Sequence, residues 1–168
     1  FMQATKIAEI TMTESVVEAF RSKKNVADLF SGYDVFSLAL SVDKRVAAYD
    51  NSSEMLMALD KAYKNHTNLK RIKTHVRDLH KSPLTSRELS RYDGVIANPP
   101  RAGGLKQVME IVKSDIRRIV YISCNVDTFS RDSKILADGG FNLDWLRIID
   151  QFRWLHHIEI LCQFSRTN

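Results

Sequence analysis

Blocks of helical and strand-like apolar spacing alternate along this chain. Ile10, Val17 and Phe20 fall at helical spacing within Lys6–Phe20, and Lys23-Lys24-Asn25 interrupts them before the apolar run Val26–Phe30. That order predicts a helix followed by a first strand. Ser31-Gly32-Tyr33-Asp34 reads as a tight turn into a short helix over Val35–Leu40, and Arg45–Tyr49 reads as a second strand closed by Asp50. Ser52 or Ser53 then caps a helix that carries Met55, Leu56, Leu59, Ala62 and Tyr63 on one face. Ile72–Val76 is a third strand running out at Asp78, and Asp93–Ala97 a fourth, ended by Asn98-Pro99-Pro100. Leu105, Val108, Met109 and Val112 mark the next helix. Arg117–Ile122 reads as a buried strand that stops at Ser123-Cys124, and Asp127 or Thr128 caps a helix reaching Gly139-Gly140. Asn142–Ile149 and Leu155–Phe164 close the chain as two strands.

Strands alternating with helices imply a parallel sheet covered on both faces and wound by right-handed crossovers. The last two strands have no helix between them, which predicts an antiparallel hairpin at the end of the sheet. The expected architecture is one α/β domain over residues 1–168, Rossmann-like, doubly wound and mostly parallel. No repeat, linker or low-complexity segment divides it.

In such a sheet ligands bind beyond the carboxyl ends of the strands. Phe30-Ser31-Gly32, Asp50, Asp78, Asn98 and Cys124 all fall there. A carboxylate after the second strand can accept hydrogen bonds from both hydroxyls of a ribose, which gives Asp50 the same role in a dinucleotide site or an S-adenosylmethionine site. The glycine loop distinguishes the two. A pyrophosphate needs several glycines for close backbone approach, whereas Ser31-Gly32-Tyr33-Asp34 has one and adds a negative charge. S-adenosylmethionine has no phosphate and carries a sulfonium cation, so carboxylates are tolerable beside it. Taken singly, Asp50 and Asp78 also read as ordinary turn and cap residues.

Cys124 sits at a strand tip, ahead of a helix N-terminus and near Arg131, and both features favour a thiolate. Its position alone leaves two readings, a nucleophile and a small apolar filler. Cys162 alternates onto one strand face with Ile158, Ile160 and Phe164, a core pattern, while His157, Glu159, Leu161 and Gln163 share the opposite face. That second face is either a site face or a solvated edge.

The composition fits a soluble globular domain, with 44% hydrophobic residues. Two cysteines give no disulfide framework and no metal-binding CxxC pair, and no apolar span or signal sequence is present. A reducing, cytoplasmic location without membrane insertion is expected. Lysine and arginine number 25 against 20 acidic residues, a net charge of +5 that suits a polyanionic partner. The cations are scattered in sequence, Lys70-Arg71, Lys73, Arg87, Arg91 and Arg117-Arg118 among them, as solvating charges usually are.

The segments Val26–Gly32, Asn98-Pro99-Pro100-Arg101-Ala102-Gly103, Ser123-Cys124-Asn125 with Thr128-Phe129-Ser130-Arg131-Asp132, and His157-Ile158-Glu159 together resemble the RNA uracil-5-methyltransferase family, in that family's order. The resemblance implies a class I methyltransferase fold, S-adenosylmethionine as methyl donor, and a tRNA or rRNA uridine as substrate. It implies that Gln3, Phe30, Gly32, Asp50, Asp78 and Asn98 contact the donor, that Cys124 is the nucleophile and that Glu159 is the base. Arg101, after the rigid Pro99-Pro100, is placed to hold a phosphate or an enolate oxygen of the base, and His157 to position the Glu159 carboxylate or contact RNA. The chain departs from the family pattern at Asn98 (usually aspartate), Asp34 (usually glycine), Val126 (usually proline), Thr5 (usually asparagine), and Arg153 and Leu155 before His157. The N-terminal RNA-gripping domain common in the family has no counterpart in these residues. Two other readings stay open. Asn98-Pro99-Pro100 alone resembles the motif of amino-methyltransferases, which place an aromatic residue where this chain has Arg101; a non-catalytic donor- or RNA-binding remnant is the other.

Overall fold

The computed structural model describes residues 6–33, 35–150 and 158–167. Gln3, Thr5, Asp34, Arg153, Leu155 and His157 lie outside the described residues. The chain runs α1 (Lys6–Ala19), β1 (Asn25–Leu29), α2 (Phe36–Leu40), β2 (Arg45–Asp50), α3 (Ser53–Lys64), β3 (Ile72–Val76), α4 (Ser86–Leu89), β4 (Gly94–Ala97), α5 (Leu105–Val112), β5 (Arg118–Ser123), α6 (Val126–Asp138), β6 (Asn142–Ile149) and β7 (Glu159–Ser165). The strands form one seven-stranded sheet in the order β3-β2-β1-β4-β5-β7-β6. β3, β2, β1, β4 and β5 are parallel, and β7 runs antiparallel to both β5 and β6. This is the doubly wound, mostly parallel sheet expected from the alternation. The chain winds one way from β1 to β3 and the other way from β4, so a crevice opens between the carboxyl ends of β1 and β4.

One face of the sheet is covered by α1, α2 and α3 through Met12, Val16, Phe20, Phe36, Leu40, Leu56 and Leu59. The other is covered by α5, α6 and the segment around α4 through Val108, Ile111, Leu136, Leu79, Leu84 and Leu89. Within the second layer Gln107 is buried, its Oε1 accepting from Leu84 N (2.8 Å) and its Nε2 donating to Leu84 O (3.1 Å). That clamp fixes the segment that follows Asp78. No described helix is long and apolar enough to cross a membrane.

Several local expectations are corrected. The α1 helix forms, but Ile10 and Val17 are exposed and the buried stripe is Ala8, Met12, Ser15, Val16 and Ala19. Small residues there let the helix approach the sheet, and Ser15 satisfies its hydroxyl by donating to Thr11 O (2.6 Å) and accepting from Arg147 (2.6 Å). The cap of α6 is Asn125, whose Oδ1 accepts from Asp127 N (2.9 Å) and Thr128 N (3.2 Å); neither Asp127 nor Thr128 is the cap. Thr85 and Glu88 form a capping box that starts α4, a helix the apolar pattern does not reveal because it is four residues long. Between β5 and β6, β7 has no solvated edge face: Glu159, Leu161 and Gln163 are all buried.

Candidate active site

Phe30, Gly32, Asp50, Asp78, Asn98, Arg101, Cys124 and Glu159 line a single cavity of about 540 Å³ at the carboxyl end of the sheet. These are the described members of the site read from the sequence. Asn51, Met55, Leu79 and His80 also line the cavity and were not anticipated. Each lies close in sequence to Asp50 or Asp78, a proximity that could have signalled them.

The donor-side wall is built by backbone geometry. Phe30, the residue after β1, has a left-handed φ of 60°, which turns the chain across the strand tips, and Gly32 follows with φ of 51°. Asp50 braces this loop, accepting from Gly32 N at 2.9 Å through one oxygen and from Ser52 N at 2.8 Å through the other. Each carboxylate oxygen keeps a second lone pair for a ligand hydroxyl. Asp78 accepts from His80 N (3.0 Å) and Lys81 N (3.2 Å), and Phe30 lies against His80 with ring centroids 5.2 Å apart. Burial opposes the Asp78 charge, yet the bonds from Lys81 and His80 hold its carboxyl below the usual range. Gly32 N–H is committed to Asp50, and the Asp50 and Asp78 carboxylates line this wall, so it suits a cationic ligand with ribose hydroxyls and not a pyrophosphate.

Cys124 and Glu159 meet because β5 and β7 are neighbours. Ser123 pairs with Ile160, so the residue after β5 and the residue that opens β7 face each other across the ladder. Ser123 Oγ accepts from Asn125 N (3.2 Å), which fixes the turn that presents Cys124. Partial burial and the Glu159 carboxylate push the Cys124 thiol up, with Arg101 working in the opposite direction. The expectation that Arg131 favours the thiolate is thus corrected: Arg131 Nε is bonded to Asp132 at 2.8 Å, and Arg101 is the cation that Cys124 feels. Glu159 is 3% exposed, and burial raises its pKa to about 7. A carboxyl so placed exchanges a proton near neutral pH.

The α6 helix holds the loop that carries Arg101. Thr128 Oγ1 donates to Arg101 O (3.1 Å), and the fully buried Asp132 accepts from Gly104 N (2.7 Å) and Tyr121 OH (2.5 Å). Gly103 has φ of 76°, and a Cβ there would lie 2.5 Å from the Arg131 guanidinium and 2.8 Å from Asp132. Only glycine fits under this clamp.

Behind the crevice, Asp28 is completely buried and accepts from Ser37 Oγ at 2.5 Å, while its other oxygen has no hydrogen-bond partner among the described residues. Burial raises its pKa to about 7, Ser37 opposes that, and Asp50 adds to it. A carboxyl whose folded pKa lies above its unfolded value stabilises the fold at acid pH and loses that contribution as pH rises through about 7. Asp28→Asn should therefore flatten the fall in melting temperature between about pH 5 and pH 8, and raise stability at the upper end by on the order of a few kcal/mol. Thermal melts at both pH values would show an unchanged slope if burial of this charge is not responsible.

Comparison with known proteins identifies the family and the fold. A family model described as tRNA (Uracil-5-)-methyltransferase matches residues 1–166. The chain belongs to this family. An uncharacterized RNA methyltransferase of Mesorhizobium japonicum is 42% identical over 166 residues, which cover 99% of this chain and 40% of that protein. A 23S rRNA (uracil(1939)-C(5))-methyltransferase of Alteromonas mediterranea is 29% identical over 171 residues, covering 99% of this chain and 35% of its own length. The fold matches the crystal structure of a Pyrococcus abyssi tRNA (uracil-54, C5)-methyltransferase in complex with S-adenosyl-L-homocysteine, with a TM-score of 0.80 and 24% identity over 98% of this chain and 40% of that one. The chain spans about 40% of the length of the curated relatives it matches.

Proposed function

We propose that residues 1–168 form the catalytic domain of a cytoplasmic enzyme that transfers a methyl group from S-adenosylmethionine to carbon 5 of a uridine in tRNA or rRNA. The observation that carries this reading is the meeting of Cys124 and Glu159 in the cavity that also presents Asp50 and Asp78. When bound, S-adenosylmethionine supplies an electrophilic methyl group on a positively charged sulfur. Asp50 accepts the ribose hydroxyls, while Phe30, Gly32, Asp78 and Asn98 line the rest of the donor pocket; Gln3, outside the described residues, is assigned there by family resemblance alone.

Carbon 5 of uracil is a weak nucleophile. The Cys124 thiolate adds to carbon 6, and the displaced π electrons form an enolate whose charge Arg101 offsets. Carbon 5 would then take the methyl group with that electron pair, the donor's sulfur–methyl bond breaking and its electrons remaining on sulfur as a neutral thioether. Glu159 removes the proton remaining on carbon 5; the C–H electrons re-form the ring double bond as the C–S bond breaks and the thiolate leaves. The base must leave its stack to reach Cys124, at a cost of about a few kcal/mol. His157, also outside the described residues, is a candidate from the alternation it shares with Glu159, either to position that carboxylate or to contact RNA.

Incubating the full-length protein with RNA and isotopically labelled donor, then digesting to nucleosides, tests the reading directly. Labelled 5-methyluridine is expected. An N-methylated base would move the activity to amino-methyl transfer through Asn98-Pro99-Pro100, and donor binding without product would leave a non-catalytic binder. Asp50→Ala should weaken the donor by about 1.5–3 kcal/mol through lost charge-assisted hydrogen bonds, roughly 10- to 150-fold in Kd. Calorimetry on protein with an intact melting transition measures it, and an unchanged Kd would remove Asp50 from the donor site.

A further inference from the structure

A second cavity, of about 260 Å³, opens on the face of β2 and β3 and extends to their amino ends, lined by Arg45, Tyr49, Arg71, Lys73, His75 and Arg91 among others. The register explains its composition. Ala47 pairs with Lys73 and Tyr49 with His75, so alternate residues of β2 and β3 place Arg45, Tyr49, Arg71, Lys73 and His75 on one face. Ala47 fills little space, and α4, the helix at this corner, has only four residues. The face therefore stays open, and Lys73 and His75 are exposed.

Its chemistry is not that of an ordinary solvated surface. Some cations elsewhere are ion-paired, Arg77 with Glu88 and Lys44 with Asp43 among them, and others such as Lys61, Lys106 and Arg117 have no ion pair with a described residue; what distinguishes this face is the grouping of four such cations around one aromatic stack. Arg45, Arg71, Lys73 and Arg91 make no ion pair with any described residue. The nearby carboxylates are already occupied: Glu88 binds Arg77 at 2.7 and 3.2 Å, and Asp93 accepts the backbone N–H groups of Lys24 and Asn25 at 2.9 Å. Inside the ring of charge, His75 stacks on Tyr49 with centroids 4.6 Å apart and planes 13° from parallel, and Tyr49 and Tyr92 share a hydrogen bond of 2.7 Å. Burial and the cations Lys73 and Arg77 push the His75 pKa down, so its ring is a neutral stacking surface at neutral pH.

We infer that this basic, aromatic cavity is a second RNA-binding site: Arg45, Arg71, Lys73 and Arg91 hold backbone phosphates and an unpaired base stacks on His75. Uncommitted cations around an aromatic face are what a single-stranded polyanion requires. Along β2 the span from Arg45 to the cofactor crevice at Asp50 is roughly 16 Å, so one RNA strand passing around the β3 edge can occupy both sites. The inference rests on the proposed RNA substrate and extends it to a distant contact.

The test uses the full-length protein with Arg71, Lys73 and Arg91 each replaced by glutamine, and a fluorescent RNA hairpin with a uridine-rich loop. RNA affinity should fall about 10-fold or more, and the slope of log affinity against log salt should flatten by about 2–3. The KM for RNA should rise with kcat at saturating RNA, donor Kd and melting temperature unchanged. His75→Ala should weaken RNA several-fold without altering the salt slope. Unchanged affinity and slope in the triple variant overturn the inference. So does unchanged RNA binding with an altered assembly state, which assigns the surface to a protein contact, or displacement by inorganic phosphate of no consequence to RNA binding, which assigns it to a small anion. A protein that loses RNA affinity in the triple variant, yet makes no 5-methyluridine when unsubstituted, leaves this inference standing and overturns the proposed activity alone. If the unsubstituted protein binds no RNA, both fall.

Discussion

Cys124→Ser should abolish methyl transfer to uridine in the full-length protein, by at least about a thousandfold, the scale on which loss of a covalent nucleophile acts. A serine hydroxyl at this half-buried position stays protonated and cannot add to carbon 6. The same substitution should eliminate the covalent complex formed with RNA carrying 5-fluorouridine. Fluorine cannot leave carbon 5 as a cation, so one methyl transfer traps the protein on its substrate. Cys162→Ser supplies the control, since Cys162 is fully buried in the core and bonded to Tyr121 O at 3.5 Å. Denaturing gels and peptide mass spectrometry read both outcomes. Persistent methylation by the Cys124 variant, or an adduct mapped to Cys162, would rule the mechanism out.

With ordinary uridine, Glu159→Gln should accumulate the methylated covalent species, because addition and transfer survive while proton removal does not. Turnover should fall by about 10²–10⁴-fold. The pH dependence separates the two residues. A base with a pKa of about 7 is active when ionised, so release of product should fail as pH drops below that value. Adduct formation should also slow at acid pH, through Cys124. In Glu159→Gln the limb belonging to release should vanish while the limb belonging to addition remains. That limb should shift downward, because the carboxylate that raises the thiol is gone. Rapid-quench measurement of adduct and product as separate species tests this. Equal slowing of both steps in the Gln variant would make Glu159 a positioning residue and not the base.

Much of the site was legible because strand ends announce themselves locally. Asp50, Asp78, Asn98 and Cys124 each follow an apolar run, and a doubly wound sheet must bring such positions to one edge. The second rank of the cavity was less legible. Met55 looked like one more apolar residue of α3, and His80 has no pattern of its own; Met55 lines the cavity because the first turn of α3 lies over the strand tips, and His80 because the segment after β3 does. The acidity of Cys124 was misjudged for a related reason. Arg131 is near in sequence and committed to Asp132, whereas Arg101 and Glu159 are far in sequence and near in space.

By itself the sequence determined the alternation of strands and helices, the parallel sheet, the positions at its carboxyl edge and the resemblance of its motifs, because backbone period and turn chemistry act over a few residues. Only the tertiary structure decided which faces are buried. Strand β7 looked one-sided in sequence, yet the core layers on the two sides of the sheet take Cys162 and Phe164 on one face and Leu161 on the other, and burial raises the Glu159 pKa to about 7. Arg45, Arg71, Lys73 and Arg91 looked like scattered solvating charges, yet the β2–β3 register gathers three of them beside Arg91 around one stacked aromatic pair. Burial and charge clustering are sums over neighbours in space, and chain order does not encode those neighbours until the strands have taken their places.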